Sequence, residues 1–144
     1  MTECVFCKIV AGEIPSEKIY ESDFVLAFLD VNPFTEGHTL IIPKKHFENI
    51  FDLPEEILKE IAVASKKVSE LLKNKLTTDG INLVNSNGKA AQQDVPHYHL
   101  HLIPRYSKDE FKFTQVKNKK KIDIKNVIKK IRGKKNDTKK TKGK

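Results

Sequence analysis

The segment His97-Tyr98-His99-Leu100-His101-Leu102-Ile103 constrains the fold more than any other part of this chain. Leu100, Leu102 and Ile103 predict a core strand over 97–103, ended by Pro104. On a strand, residues two apart point to the same side at roughly 6.6–6.8 Å, so the three imidazoles share one face. Ionisable rings aligned beside buried surface usually carry a task. Two tasks fit. The three rings can bind a catalytic metal in an open His₃ site. Alternatively, one ring is a nucleophile and the others orient and stabilise, since imidazole attacks phosphorus well near neutral pH.

A core strand needs partners, and the rest of the chain supplies them. Lys18–Glu21 and Phe24–Leu29 flank Ser22-Asp23 as a hairpin, and Pro33 follows the second strand. His38–Ile42 reads as a third strand closed by Pro43, and Ile81–Val84 as a fourth. Val5, Phe6, Ile9 and Val10 have helical spacing before Gly12, giving a short helix over 4–11. A long helix is expected from an Asp52 N-cap, with Pro54 in its first turn and Glu55 completing a capping box. Its apolar stripe runs through Leu53, Ile57, Leu58, Ile61, Ala64, Val68, Leu71 and Leu72 to about Lys73. Ile124, Val127, Ile128 and Ile131 predict a last helix, about 122–132, docked on the body or on a partner chain. The fold class is α+β: an antiparallel meander of about five strands, with helices covering one face. The polar loop 85–96 is a natural place for a site.

The net charge of +8 suggests nucleic acid, but its distribution does not. Residues 117–144 hold 14 Lys and Arg against 2 acidic residues, which leaves the body, 1–116, at −4. The division expected is a catalytic body (1–116), an amphipathic helix (117–132) and a Lys-rich tail (133–144) expected to be disordered. The tail can attract nucleic acid in a salt-sensitive way, but no aromatic residue interleaves its lysines as a stacking platform. No apolar run reaches the ~18–20 residues of a membrane span, and no lipidation motif or N-terminal signal pattern is visible. A cytoplasmic protein without a membrane partner is expected.

Both cysteines lie in Cys4-Val5-Phe6-Cys7, a spacing that signals metal or redox chemistry inside a cell. The redox reading lacks the βαβ context of a thioredoxin-like site.

The heptad at 97–103 resembles the signature of the histidine triad (HIT) superfamily of nucleotide hydrolases and transferases. Phe6–Ile9, Ala27–Asp30, Gly37–His46, Asn87-Gly88 and Gln93–Val95 are similar to family segments in the same order, from Cys4 to about Tyr106. The chain resembles the zinc-containing branch with an N-terminal Cys-x-x-Cys and is similar to purine nucleoside phosphoramidases. The resemblance implies that His99 attacks an α-phosphorus and holds the nucleotidyl group. It implies that His101 contacts the phosphate and that His38 sits beside the nucleophile and orients it. Asp30 would bind the ribose hydroxyls, and Phe6, Ile9, Phe28, Leu29 and Leu40 would form the base pocket. Gln93, Asp94 and Val95 would line the phosphate and leaving group, and Ser86 would approach the phosphate. Cys4, Cys7, His46 and His97 would hold a structural Zn²⁺ in a closed Cys₂His₂ site, and a homodimer is typical of such relatives.

Departures from the pattern carry expectations of their own. Gln92 stands where many members have Gly, implying a different shape for the phosphate loop. Asp94 replaces Ser or Thr near the leaving group, where a carboxylate repels a polyphosphate and tolerates an amine. Ser86 replaces Asn or Gln, and its hydroxyl reaches less far. No aromatic residue follows the triad as it does in some branches.

Overall fold

The computed structural model describes residues 3–112 and 120–133. In chain order the elements are α1 (Val5–Val10), β1 (Lys18–Glu21), β2 (Val25–Leu29), β3 (Thr39–Pro43), α2 (Glu55–Leu76), β4 (Gly80–Val84), β5 (Leu100–Arg105) and α3 (Ile124–Gly133). One turn of 3₁₀ helix, Lys89–Ala91, interrupts the loop before β5. The five strands form one antiparallel sheet in the order β1-β2-β3-β5-β4. The simple up-and-down order therefore holds only through β3. The α2 crossover carries the chain to the far edge, and β5 returns between β3 and β4.

Alternation along the central strands sorts their side chains onto two buried faces. Val25 and Ala27 of β2, Ile41 of β3 and Leu102 of β5 pack with Ile61, Ala64, Val68 and Leu72 of α2. Leu26 and Phe28 of β2, with Leu40 and Ile42 of β3, pack against Phe6 and Ile9 of α1. Helices thus cover both faces rather than one. This is why β2 reads Val-Leu-Ala-Phe-Leu without a polar residue: a strand buried on both sides has no solvent face. His101 pairs with Leu40, so it stands on the α1 face.

Both ends of α2 and both ends of β5 differ from those expected. Asp52 does not cap α2; its carboxylate accepts the Glu48 and Asn49 N–H groups at 3.0 and 2.9 Å and closes the preceding turn. The helix starts after Pro54, with no side-chain cap, and runs past Lys73 to Leu76. β5 begins at Leu100: the register that pairs Ile41 with Leu100 would bring His99 and Tyr98 opposite Ile42 and Pro43, but the Tyr98 N–H donates to the Phe47 carbonyl at 2.7 Å instead. Pro104 stays inside β5, beyond the last β3 pair, Thr39 with Leu102.

The chain divides into two compact units at 111/112. The boundary expected at 116/117 lies outside the described residues, as does the tail from 134. In the second unit, Asp123 accepts the Lys125 and Asn126 N–H groups at the start of α3, which places Ile124, Val127, Ile128 and Ile131 at helical spacing. No helix of the described residues is long and apolar enough to cross a membrane.

Candidate active site and metal centre

The loop between β2 and β3 builds one side of the site. The Thr35 hydroxyl donates to the Pro104 carbonyl at 2.6 Å, and the Asp30 N–H to the His38 carbonyl at 2.9 Å. Gly37, at φ +86°, passes where a Cβ would collide with Leu76 and lie 3.2 Å from Pro104. This folded loop delivers a fully buried His38, whose ring stands between the Phe34 N–H and His101.

Hydrogen-bond partners assign the tautomers. The Phe34 N–H donates to His38 Nδ1 at 3.1 Å, so the proton of the neutral ring is on Nε2. That Nε2–H donates to His101 Nδ1 at 2.9 Å, which leaves the His101 proton on Nε2. His99 is locked differently. Its Nδ1–H donates to the His97 carbonyl at 2.7 Å, and its Nε2 faces Asp94 Oδ1 at 3.2 Å. The Asn85 amide fixes the His99 backbone by donating to its carbonyl at 2.9 Å.

Burial is the main electrostatic influence on these rings. It pushes His101 down to about 4, helped by the His99 and His38 rings and opposed by Asp30 and Asp94. It lowers His38 as well, against the opposing pull of Asp30. His38 is therefore neutral near pH 7, and its 3.7 Å approach to Asp30 is not an ion pair.

A cleft of about 310 Å³ opens in front of His99 and His101. Phe6, Ile9, Phe28, Leu29, Leu40, Asp30, Asp94 and Val95 line it, all of them expected from sequence. Three residues are placed differently from what the resemblance implies. Gln93 faces inward along its own loop: its amide donates to the Glu48 and Val95 carbonyls, and its oxygen accepts the Gly88 N–H. Ser86 does not line the cleft, and its neighbour Asn85 supplies the useful amide. His38 orients His101; the group that orients His99 is the His97 carbonyl. Val31, Asn32, Ile14, Pro15 and Ser16 also line the cleft, unanticipated. Pro15 and Ser16 follow Ile14 in an irregular turn, where no periodicity marks a binding wall.

Gln92 sits at φ 63°, ψ 32°, a left-handed conformation that glycine adopts at lower cost. The substitution stores strain in this loop.

A second cluster lies beside the cleft. Cys4, Cys7, His46 and His97 point one ligand atom each at a common centre. His97 Nδ1 is 3.3 Å from Cys4 Sγ, 3.5 Å from Cys7 Sγ and 3.2 Å from His46 Nδ1, and Cys7 Sγ is 3.4 Å from His46 Nδ1. Zn–N bonds of about 2.0–2.1 Å and Zn–S bonds of about 2.3 Å give tetrahedral edges of roughly 3.3 Å (N–N) and 3.5 Å (N–S), so the four side chains fit such an ion. His97 Nε2–H donates to the Pro43 carbonyl at 2.8 Å, which turns the lone pair of Nδ1 toward the sulfurs. Burial holds this ring down to about 4, in the neutral form a metal requires. Phe6 joins the two sites, its ring 5.8 Å from His97 and 5.2 Å from His99. Asp30, His38 and His101 form another compact group, but the 2.9 Å hydrogen bond between the imidazoles already uses the facing nitrogens.

An antiparallel α+β sheet with a tautomer-locked imidazole at the wall of an apolar cleft defines an enzyme built for histidine chemistry. The chain belongs to the HIT family, its residues 11–108 matching the HIT domain, and it is a hydrolase. An uncharacterised HIT-like protein of Methanocaldococcus jannaschii is 49% identical over 132 residues, covering 90% of this chain and 99% of that one. Adenosine 5′-monophosphoramidase HNT1 of Saccharomyces cerevisiae is 44% identical over 102 residues, covering 71% and 62%. A Zn-bound histidine triad family protein of Mycobacterium smegmatis superposes with a TM-score of 0.74 at 40% identity, covering 81% of this chain and 84% of that one.

Proposed function

We propose that this protein hydrolyses a purine nucleotide conjugate, best a phosphoramidate, at its α-phosphorus through a nucleotidyl intermediate on His99. The observation that carries the reading is the His99 ring, with Nδ1 bound to the His97 carbonyl and Nε2 at the wall of the cleft. Nε2 attacks phosphorus, the bond to the leaving nitrogen breaks, and water then cleaves the phosphorus–nitrogen bond to His99 to release the nucleotide. His101 presents Nε2–H to the phosphate oxygens, where negative charge develops. Asp30 accepts hydrogen bonds from the ribose, and Phe6, Ile9, Phe28, Leu29 and Leu40 enclose the base.

Asp94 favours an amine over a polyphosphate leaving group. Its carboxylate lies beside His99 Nε2, on the path a leaving group takes, and a polyphosphate there meets like charge. The monophosphoramidase activity named for the yeast relative agrees with this choice. We further propose that the ion held by Cys4, Cys7, His46 and His97 is zinc, with a structural role, since all four positions of its tetrahedron are taken by protein.

The test is release of AMP from adenosine 5′-phosphoramidate by wild type and His99→Ala. Wild type turns over, and the variant loses at least about 10³-fold in kcat while AMP binding stays within a few-fold. Turnover of the variant at the wild-type rate would sink the covalent mechanism.

A further inference from the structure

The end of β5 and the residues after it form a bonded strap, 105–111, that the proposed chemistry does not use. Arg105 anchors it. Its Nε and Nη2 donate to the Asp109 carboxylate at 2.9 Å each, Nη1 donates to Asn82 Oδ1 at 2.9 Å, and Nη2 also donates to the Phe111 carbonyl. The guanidinium carbon lies 5.1 Å from the centre of the Phe111 ring, so one side chain holds both the backbone and the ring of Phe111. The strap grips the loop between β2 and β3 on either side of Thr35, which the Pro104 carbonyl already holds. The Tyr106 hydroxyl donates to the Glu36 carbonyl at 2.8 Å, and the Phe111 ring stacks on Phe34 at 5.0 Å and 10°.

Phe34 is exposed, so the core does not hold its side chain. It meets His38 twice: its N–H donates to Nδ1 at 3.1 Å, and its ring lies 5.0 Å from the imidazole. The His38 ring is in turn 5.1 Å from His101, with its Nε2–H on His101 Nδ1. Ring contacts thus run in series from Phe111 through Phe34 and His38 to His101. We propose that Phe111 is a positioning residue of the hydrolase reaction: by stacking on Phe34 it keeps the Phe34 N–H on His38 and so fixes the tautomer that His38 imposes on His101. This rests on the reading above in which His101 presents Nε2–H to phosphate. If the Phe34 N–H drifts away, the His38 proton can move to Nδ1. Its bare Nε2 then calls for a proton on His101 Nδ1, and His101 turns a lone pair instead of a donor toward the phosphate oxygens.

The test combines long-range ¹H–¹⁵N spectra of the imidazoles in the nucleotide-free protein with steady-state hydrolysis of adenosine 5′-phosphoramidate. The proteins are wild type, Phe111→Ala, Phe111→Tyr and Tyr106→Phe. Wild type should show His38 with a protonated Nε2 and an unprotonated Nδ1. Phe111→Ala should bring a second tautomer into His38 and His101 and lower kcat roughly 5- to 30-fold with KM within about twofold, the pattern of a misoriented group. Phe111→Tyr keeps the flat face and should retain the wild-type spectrum and rate. Tyr106→Phe releases the other grip without losing the ring and should act in the same direction as Phe111→Ala, more weakly. A merely structural role would lower the melting temperature of Phe111→Ala and leave the imidazole nitrogens as in wild type; that result overturns the proposal, as does an altered spectrum with unchanged kcat. If wild type releases no AMP, the substrate reading falls instead, and the spectra alone decide whether Phe111 fixes the His38 tautomer.

Discussion

His101 provides a quantitative test of the electrostatics of this site. Its ring is held at about 4 against 6.5 in an unfolded chain, chiefly by burial, with His99 and His38 adding to the effect and Asp30 and Asp94 opposing it. A depressed histidine means that the unfolded state takes up the proton first. Stability from this group is therefore complete above about pH 7, falls as the pH drops through 6.5, and levels off below about 4. Between pH 7 and pH 5 the linkage amounts to about 2 kcal/mol as an upper figure, because water reaches part of the ring and screens it. The assay is urea unfolding of wild type and His101→Gln at both pH values. His38, His97 and the carboxylates titrate in both proteins, so they largely cancel in the difference between the two pH responses. Wild type should lose 1–2 kcal/mol more than His101→Gln between pH 7 and pH 5. Equal losses would refute the claim that His101 is buried as a neutral ring, and with it the assignment of a proton to Nε2 facing the substrate.

Two further perturbations address the metal centre and the strained loop. Cys7→Ala removes one of four ligands, so the purified protein should fall from one bound zinc per chain toward none, and amide exchange over 5–10 should quicken as α1 loses its anchor; full zinc content in the variant would reject the site. Gln92→Gly relieves a left-handed non-glycine residue and should raise stability by about 0.5–1 kcal/mol in urea unfolding; a loss of stability would mean that the Gln92 side chain makes contacts worth more than the strain.

The sheet was legible because β2, β3 and β5 carry patterns that only a two-sided core explains, and α2 because its apolar stripe repeats at helical spacing for five turns. Boundaries were less legible, since they depend on partners distant in sequence. Nothing in His97-Tyr98-His99 reveals that the Phe47 carbonyl takes the Tyr98 N–H, so strand propensity extended β5 too far. Asp52 has the chemistry of an N-cap, yet the N–H groups of Glu48 and Asn49 compete for the same carboxylate and win. In the site, the histidines stood out by type and spacing, and the grouping of Cys4 and Cys7 with His46 and His97 followed from family resemblance, not periodicity. Asn85 stayed hidden because Asn is an ordinary loop residue. Its importance lies in what faces it, the carbonyl of residue 99.

The cysteine–histidine cluster and the proposed nucleophile share one short segment, and the connection between them is covalent. His97 places its ring in the cysteine cluster while its own carbonyl receives the His99 Nδ1 proton. The ring is held on one side by the ligand group and on the other by the Pro43 carbonyl, so residue 97 has little freedom to rotate. A carbonyl fixed in this way selects the His99 tautomer that leaves Nε2 for the proposed attack, a task that other histidine enzymes give to a carboxylate. His101 is two residues further on and receives its orientation from the opposite side, through the His38 ring and the Phe34 N–H. Loosening residue 97 should therefore disturb the nucleophile while sparing the His38–His101 pair, which ties the stability of the cysteine cluster directly to the chemistry of the cleft.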